Sequence, residues 1–314
     1  MTAYAVRRIL QTIPVLIITS LAVFLLLRLV PGDPAVVLAG PDASPEVVAA
    51  VREDLGLNQS VPAQYLQWAG DAVRGDLGHS YISRRSVWEL VALKLPATLE
   101  LTLAALLLAL LIAVPTGILA GIRQRSRTDV AISTFTAVGV GLPNFWIGIL
   151  FILLFALVLG WLPPGGRVGF GEDPVLALKY LALPALTLAI PQSAVFSRFL
   201  KVAVVDVLHE DYIRTARAKG LAEHAVISRH VLRSALVPIV TVLAMHFGRL
   251  LGGAVIIESV FTWPGVGRLM LDAIGRRDYA VIQGGLFLLV TIFVLINLLT
   301  DLTYGFLDPR IRHS

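Results

Sequence analysis

Again and again the chain runs for about twenty residues with almost nothing polar in it, the length a helix needs to cross a bilayer. Inside hydrocarbon every backbone N–H and C=O must be satisfied within the segment or in a closed barrel, so unbroken runs of this length can only be helices. Six stretches qualify, about 9–30, 97–122, 130–160, 176–196, 236–257 and 280–304. The composition agrees: 57% of the residues are hydrophobic and 15% charged, against roughly a quarter charged in ordinary soluble chains. The fold class is therefore an all-α polytopic membrane protein with about six transmembrane helices. The chain has no cysteine, so disulfides and thiolate metal sites are excluded. Arg7 and Arg8 ahead of the first run look like the start of a signal peptide. The run is too long for one and lacks a small-residue cleavage site, so it reads as a retained span.

Between the runs the chain is punctuated. Pro31-Gly32-Asp33-Pro34 stops the first span, since prolines and glycine cannot continue a helix. The only substantial polar segment follows, up to about residue 95. Within it Ser44-Pro45-Glu46 starts a helix that ends at Gly56, a second covers 64–73, Gly75-Asp76-Leu77-Gly78 turns, and 87–95 is helical again. This segment is too small for a catalytic domain and reads as a helical cap. The third run contains Gly139, Gly141, Pro143 and Gly148, an interruption that marks a broken helix lining a cavity. That reading places Pro143, Asn144 and Phe145 on a candidate path. Residues 258–279 form a loop on the outer side.

Basic residues decide orientation. With the N-terminus inside, the inner segments collect Arg7, Arg8, Arg123, Arg125, Arg127, Arg198, Lys201, Arg214, Arg217, Lys219, Arg229, Arg233, Arg310 and Arg312, whereas the shorter outer loops hold few. The net charge of +5 is this topology signal rather than a footprint for nucleic acid. Both termini are expected in the cytoplasm. So is the polar interruption at about 198–233, whose centre reads Asp211-Tyr212-Ile213-Arg214-Thr215-Ala216-Arg217-Ala218-Lys219-Gly220-Leu221. Acids at its start and bases at its end suit a helix dipole. Gly220 is placed to be the left-handed stop, and Leu221 to make the hydrophobic contact that follows. A second helix restarts around Ala222. A helix, a glycine turn and a helix between spans predict a docking element for a soluble partner; the alternative is a solvated loop on lipid headgroups.

The sequence has no phosphate-binding glycine loop and no His-Glu-x-x-His, and its six histidines do not cluster with acids. Ser193 and His246 are the one pair that can be imagined as a buried hydrolase. Arg249 stands halfway along the fifth span with His246 on its face. A charge at that depth costs several kcal/mol unless it meets water or a partner. Two readings stay open: Arg249 faces an aqueous path, or it is held structurally by carbonyls and water. A self-sufficient ion-coupled secondary transporter would need titratable acids inside spans or inverted repeats, and neither is found.

The run Asp211–Leu221, with Pro238 downstream, resembles the cytoplasmic signature loop of permease subunits in bacterial ATP-binding-cassette importers, in the form seen in the dipeptide/oligopeptide branch. Pro31–Pro34, Gly75–Gly78, Leu95-Pro96-Ala97-Thr98-Leu99, Leu142-Pro143-Asn144-Phe145-Trp146, the run from Glu258 to Gly267, Arg277-Asp278-Tyr279 and Leu307-Asp308-Pro309-Arg310 extend the likeness over nearly the whole chain. Where more distant relatives carry Glu-Ala-Ala, this chain reads Arg214-Thr215-Ala216. The resemblance implies a type I importer permease, the large-outer-loop member of its pair. It implies a first span plus outer segment over 1–95, a permease core over 96–305 and a cytoplasmic tail over 306–314, in the bacterial inner membrane. It further implies a paralogous permease, two ATPases that carry the ATP and Mg, and an extracytoplasmic solute-binding protein, with no cofactor on this chain. Asp211, Tyr212, Arg214, Thr215, Ala216, Arg217, Ala218, Lys219, Gly220 and Leu221 would couple to an ATPase. Arg249, His246, Pro143, Asn144 and Phe145 would line the path, and Trp263, Pro264 and Gly265 would belong to an outer gate.

Overall fold

A computed structural model describes residues 2–29, 32–40 and 42–307, with side chains from Val6 onward except at 237, 238, 240, 241, 244, 245 and 299–307. Val30, Pro31, the side chain of Pro238 and the tail from Asp308, including Arg310 and Arg312, lie outside the described residues. The described chain is helical. In order come α1 (Thr2–Leu29), α2 (Pro34–Ala39), α3 (Pro45–Asp54), α4 (Val61–Val73), α5 (Val87–Ile122), α6 (Arg127–Gly141) and α7 (Asn144–Phe151). A π-helical turn π1 (Ile152–Val158), α8 (Pro174–Leu208), α9 (Asp211–Ala218) and α10 (Glu223–Ala225) follow. The chain then passes through a second π turn, π2 (Val226–Val231), α11 (Leu232–Ala235), α12 (Val237–Val260), α13 (Val266–Gly275) and α14 (Tyr279–Leu307). Among the described residues α1, α5, α8 and α14 are long and apolar enough to cross a membrane, and α6 with α7 makes a fifth crossing if its bend is counted as one span. The 24-residue α12 occupies the place expected for the remaining span.

Two expected boundaries move. Residues 87–95 and the second span are one helix of 36 residues, running straight through Pro96 and Pro115. The fourth span continues past Phe196 to Leu208, giving α8 35 residues. At about 1.5 Å per residue that is roughly 50 Å, well beyond the ~30 Å of hydrocarbon, so the polar residues 197–208 are the projecting end of a span rather than part of a loop. The stretch 258–279, expected as a loop, contains α13. Its apolar residues Val266, Met270 and Ala273 are buried on one face.

The chain divides into two compact units, one from its two ends (up to Pro96 and from Gly265), the other Ala97–Pro264. In the first, α1 packs along α14 and against α4. Phe24, Tyr65, Trp68 and Phe287 form an aromatic cluster with ring centroids 5.4 to 6.4 Å apart. Below it Leu77, Val87, Val91, Met270, Ile282 and Leu288 make a continuous core. Gly284 permits this, because a Cβ there would stand 2.9 Å from Val87 and 3.0 Å from the Leu77 carbonyl. Asp278, 4% exposed, ties the turn before α5 to the start of α14. It accepts from the Ser80 hydroxyl at 2.5 Å, the Tyr81 N–H at 3.1 Å and the Val281 N–H at 3.4 Å. As the sequence predicts, α3 starts at Ser44-Pro45 and stops at Gly56, with φ of +65°. The Leu57 N–H bonds Arg52 C=O and the Gly56 N–H bonds Glu53 C=O, the paired bonds of a Schellman stop. The Ser44 side chain makes no capping bond.

In the second unit α8 is the spine. It packs on α6, α7 and α12, and three clusters succeed one another along it. At its start are Leu101, Leu183, Leu188, Ile257, Phe261 and Trp263; in its middle Ala109, Ala113, Ala189 and Phe196; at its end Leu200, Val204 and the α9 residues. The expected break in the third span is a 102° bend between α6 and α7. Leu142, at φ −90° and ψ 134°, takes the extended conformation that a following proline enforces.

Candidate functional site

The element at 211–235 is built by its ends. Glu210 is extended, and its carbonyl receives the Ile213 and Arg214 N–H groups, while its side chain makes no cap. Asp211 sits in the first turn and pairs with Arg214. Gly220 has φ +81° with open space where a Cβ would be, so glycine is required there by backbone conformation and not by crowding. Leu221 N–H bonds Ala216 C=O at 3.3 Å and Gly220 N–H bonds Arg217 C=O at 2.9 Å, a second Schellman stop. Ile213 and Ala216 are buried, whereas Asp211, Tyr212, Arg214, Thr215, Arg217, Ala218, Lys219, Gly220 and Leu221 all face outward. Two contacts fold the second helix back onto α9. The Arg217 guanidinium donates twice to Glu223, at 3.1 and 2.7 Å, and the Tyr212 hydroxyl donates to Ser234 at 3.0 Å. Arg217's hydrogen bonds hold the Glu223 carboxyl below its usual range, and the same pair raises Arg217. The restart at Ala222, the N-cap of α10, is as expected, but most of the second helix is the π turn Val226–Val231. The element is a firmly backed, mixed-charge surface with an aromatic residue at one edge.

The backing is continuous with the spans. Ile213 and Ala216 enter a core with Leu200 and Val204 of α8, Val226 and Val231 of π2, and Ile239 of α12, lined by Val114, Ile118 and Ile122 of α5. Gly117 and Gly121 bring α5 onto α8. A Cβ at 117 would lie 2.9 Å from the Leu200 Cβ and the Ser197 carbonyl, and one at 121 would lie 2.6 Å from Val204. Small residues four apart let helix backbones meet closely in membranes, and this spacing is the signal in the sequence that reading by apolar runs passes over. Thr116 adds a hydroxyl bond to Ser197 at 3.1 Å. Asp129 pairs with Lys201 and accepts the Arg125 N–H at 3.0 Å, which fastens the α5–α6 turn to the same end of α8.

The candidate path residues separate. His246 is buried, its Nδ1 2.9 Å from Gln192 Oε1 and its ring edge-on to Phe196 at 5.5 Å. Ser193 bonds the Ile190 carbonyl, so the imagined hydrolytic pair is engaged elsewhere. Arg249, one turn on, is exposed and makes no ion pair with an acid of the described residues. Asn144 sits beside α12, 3.6 Å from where a Cβ of Gly253 would be, so the bend and the Arg249 helix come together. Pro143 and Phe145 are exposed.

At the other end of α8, Trp263 is wholly buried and donates its indole N–H to the Ala97 carbonyl at 2.8 Å. Arg167 lies over its ring at 5.9 Å and pairs with Glu100 at 2.5 Å. Glu258 is fully buried and accepts the Thr98 hydroxyl at 2.6 Å. The Gly166 N–H bonds the Phe261 carbonyl at 2.8 Å, and a Cβ at Gly165 would fall 2.3 Å from that oxygen. Trp263 is thus built into a clamp rather than hung over an opening. Pro264 is half-buried and Gly265 begins the other unit as the N-cap of α13. The buried carboxylate of Glu258 was not legible, because its partner lies 160 residues away.

Relatives share the entire chain. A probable peptide ABC transporter permease protein (y4tP) of Sinorhizobium fredii is 42% identical over 313 residues, covering 100% of both chains. A putative peptide transport system permease protein of Brucella abortus and the glutathione transport system permease protein GsiC of Escherichia coli K12 are each 41% identical over 314 residues, again covering 100% of both. Among solved structures, a chain of an amino acid ABC transporter crystallised with histidines superposes with a TM-score of 0.51 at 17% identity, covering 71% of this chain and 94% of that one. That likeness is one of fold. Residues 113–313 match the model for the binding-protein-dependent transport system inner membrane component, and residues 1–102 match its N-terminal companion. With the apolar helices that its fold requires and full-length relatives that are permeases, this chain belongs to the family of binding-protein-dependent transport system inner membrane components.

Proposed function

We propose that the chain forms half of the translocation path of a peptide importer and takes its power from separate ATPase subunits through α9. The carrying observation is the outward face of α9 backed by the Ile213–Leu200–Val204 core: a surface exposed to a partner yet rigidly continuous with α5, α8 and α12. Peptide cargo is supported by the relatives named for peptide and glutathione transport. The second permease, two ATPases using ATP and Mg, and a solute-binding protein complete the assembly, with α9, the N-terminus and the tail in the cytoplasm of a bacterial inner-membrane protein.

In this reading ATP-driven closure of the ATPases pushes α9. The push enters α8 at Leu200 and Val204 and travels along a helix whose far end carries the Trp263–Ala97 clamp. The bend at Pro143 and the exposed Arg249, which meet at Asn144 and Gly253, line the path between. Arg249 offers a fixed positive charge to a carboxylate of the cargo, and the clamp, with Pro264 and Gly265 following it, forms the outer closure. Reconstitution into vesicles tests this. With its partner permease, ATPases and binding protein the chain should accumulate dipeptide only when ATP is inside the ATPase compartment. Accumulation against a gradient without any ATPase would replace this reading with an ion-coupled secondary transporter.

A further inference from the structure

The unit formed by the two chain ends holds a cleft that the transport path does not use. Three adjoining hollows of about 230, 230 and 440 Å³ share Leu55, Tyr81 and Gln283 in their walls. The largest is of the size that holds small ligands. Together their lining is mixed in a particular way. Tyr279 is 6% exposed, lines two of the hollows, and its hydroxyl has no hydrogen-bond partner among the described residues. Leaving a buried hydroxyl unpaired is costly, and buried polar groups are otherwise nearly always satisfied. Gly32 gives it room: a Cβ there would stand 2.9 Å from that oxygen. Arg28, stacked over Phe24 at 4.5 Å and bonded to Gln64, lines the two smaller hollows, one of which it shares with Tyr279. Asp71, paired loosely with Arg74 at 3.7 Å, lines one of those two and the largest hollow, where Tyr279 also lies, and Asp76, which caps Gly78, lines the former. Trp68 and Tyr81 supply apolar faces between them. Burial, with the Asp278 charge behind it, pushes the Tyr81 phenol above its usual range, so it remains a donor at neutral pH.

A cation with neutral donors on one side, carboxylates on another and an aromatic wall between them match a ligand that carries both charges. We infer that this cleft is a binding site for a small zwitterion, with Tyr279 and Arg28 receiving its anionic end and Asp71 its ammonium. Two sources share that chemistry: a free amino acid or short peptide, and the headgroup of phosphatidylethanolamine. The site stands independently of the transport reading, because it lies in a different unit from α9 and Arg249 and needs no ATPase.

The test uses the full chain in nanodiscs of phosphatidylcholine and phosphatidylglycerol, titrated with alanyl-alanine by calorimetry. Binding is expected. It should weaken at least about fivefold, the worth of one hydrogen bond, in Tyr279→Phe and in Asp71→Asn, and when either end of the dipeptide is capped. Tyr279→Phe removes no hydrogen bond to the described residues, so a thermal melt at or above the wild-type temperature will show that the loss is at the site. If phosphatidylethanolamine in the nanodisc blocks the dipeptide, and that block is lost in Tyr279→Phe, the same site is supported with the lipid as occupant. Dipeptide binding that ignores capping and Tyr279→Phe, or no effect of either zwitterion, overturns the inference and leaves the transport reading standing.

Discussion

Arg217 offers a way to separate a contact that holds the fold from one that serves a partner. Its two bonds to Glu223 look structural, but the side chains are 40% and 55% exposed. Exposed ion pairs contribute about 0.2–1 kcal/mol, and turning the pair into two like charges costs a similar amount again. Burial of Ile213, at about 1.5–3 kcal/mol for such a side chain, still anchors α9. Arg217→Glu should therefore lower the melting temperature by only a few degrees, with α9 in place. Glu223's carboxyl is depressed by Arg217, so the pair's contribution is present above the ordinary carboxylate range and is lost as pH falls through the depressed value. From about pH 6 to 8 it is constant, and assays there compare like with like. If Arg217 meets the ATPase, reversal of its charge should cut ATP-driven uptake about tenfold or more, a loss of at least ~1.4 kcal/mol at the contact. The decisive variant is the swap, Arg217→Glu with Glu223→Arg. It restores the internal pair and the melting temperature but leaves the partner facing the wrong charge, so uptake should stay low. Recovery of uptake by the swap would show that Arg217 acts only through Glu223 and would refute its place at the docking surface.

Gly121→Leu drives a side chain into Val204, already 2.6 Å from a bare Cβ; overpacking of this kind costs about 1–3 kcal/mol, read as a lower melting temperature in detergent with α5 parted from α8. Asp278→Asn keeps the shape but removes the charge that gathers Ser80, Tyr81 and Val281. A loss of about 1.5–3 kcal/mol and faster proteolysis in the turn 79–86 are expected. Arg249→Ala should reduce dipeptide uptake while the ATPases still co-purify; unchanged uptake would take Arg249 off the path.

Reading the chain as runs and breaks recovered most of the helices, because apolar length and glycine or proline punctuation are local. Gly56 and Gly220 were legible for the same reason: a left-handed stop is written in one residue and its neighbours. The bend at Pro143 was legible too. What stayed hidden depends on partners far away in sequence. Pro96 looks like a boundary, yet α5 passes through it. The polar interruption reads as beginning at about residue 198, but Leu200 and Val204 have a core waiting in Ile213 and Val231, which draws α8 on to Leu208. Helix α13 is short and sits among Trp263, Pro264 and Gly265, whose turn chemistry masks the burial of Met270 against α14. Gly117 and Gly121 vanish inside an apolar run. Trp263 reads only as a residue of the outer loop until Ala97, its hydrogen-bond acceptor, is brought beside it.

The chain has no cysteine, so a single one can report on α9 alone. Ala218 is on the exposed face at the end of that helix, and Ala218→Cys leaves Ile213, Ala216 and the Gly220 stop intact. In membranes containing the assembled transporter, a short thiol cross-linker at position 218 is predicted to join this chain to an ATPase subunit, with a yield that changes between nucleotide-free and ATP-bound states. Labelling of the same cysteine by an impermeant reagent applied outside intact cells, with no ATPase captured, would contradict the account at its root.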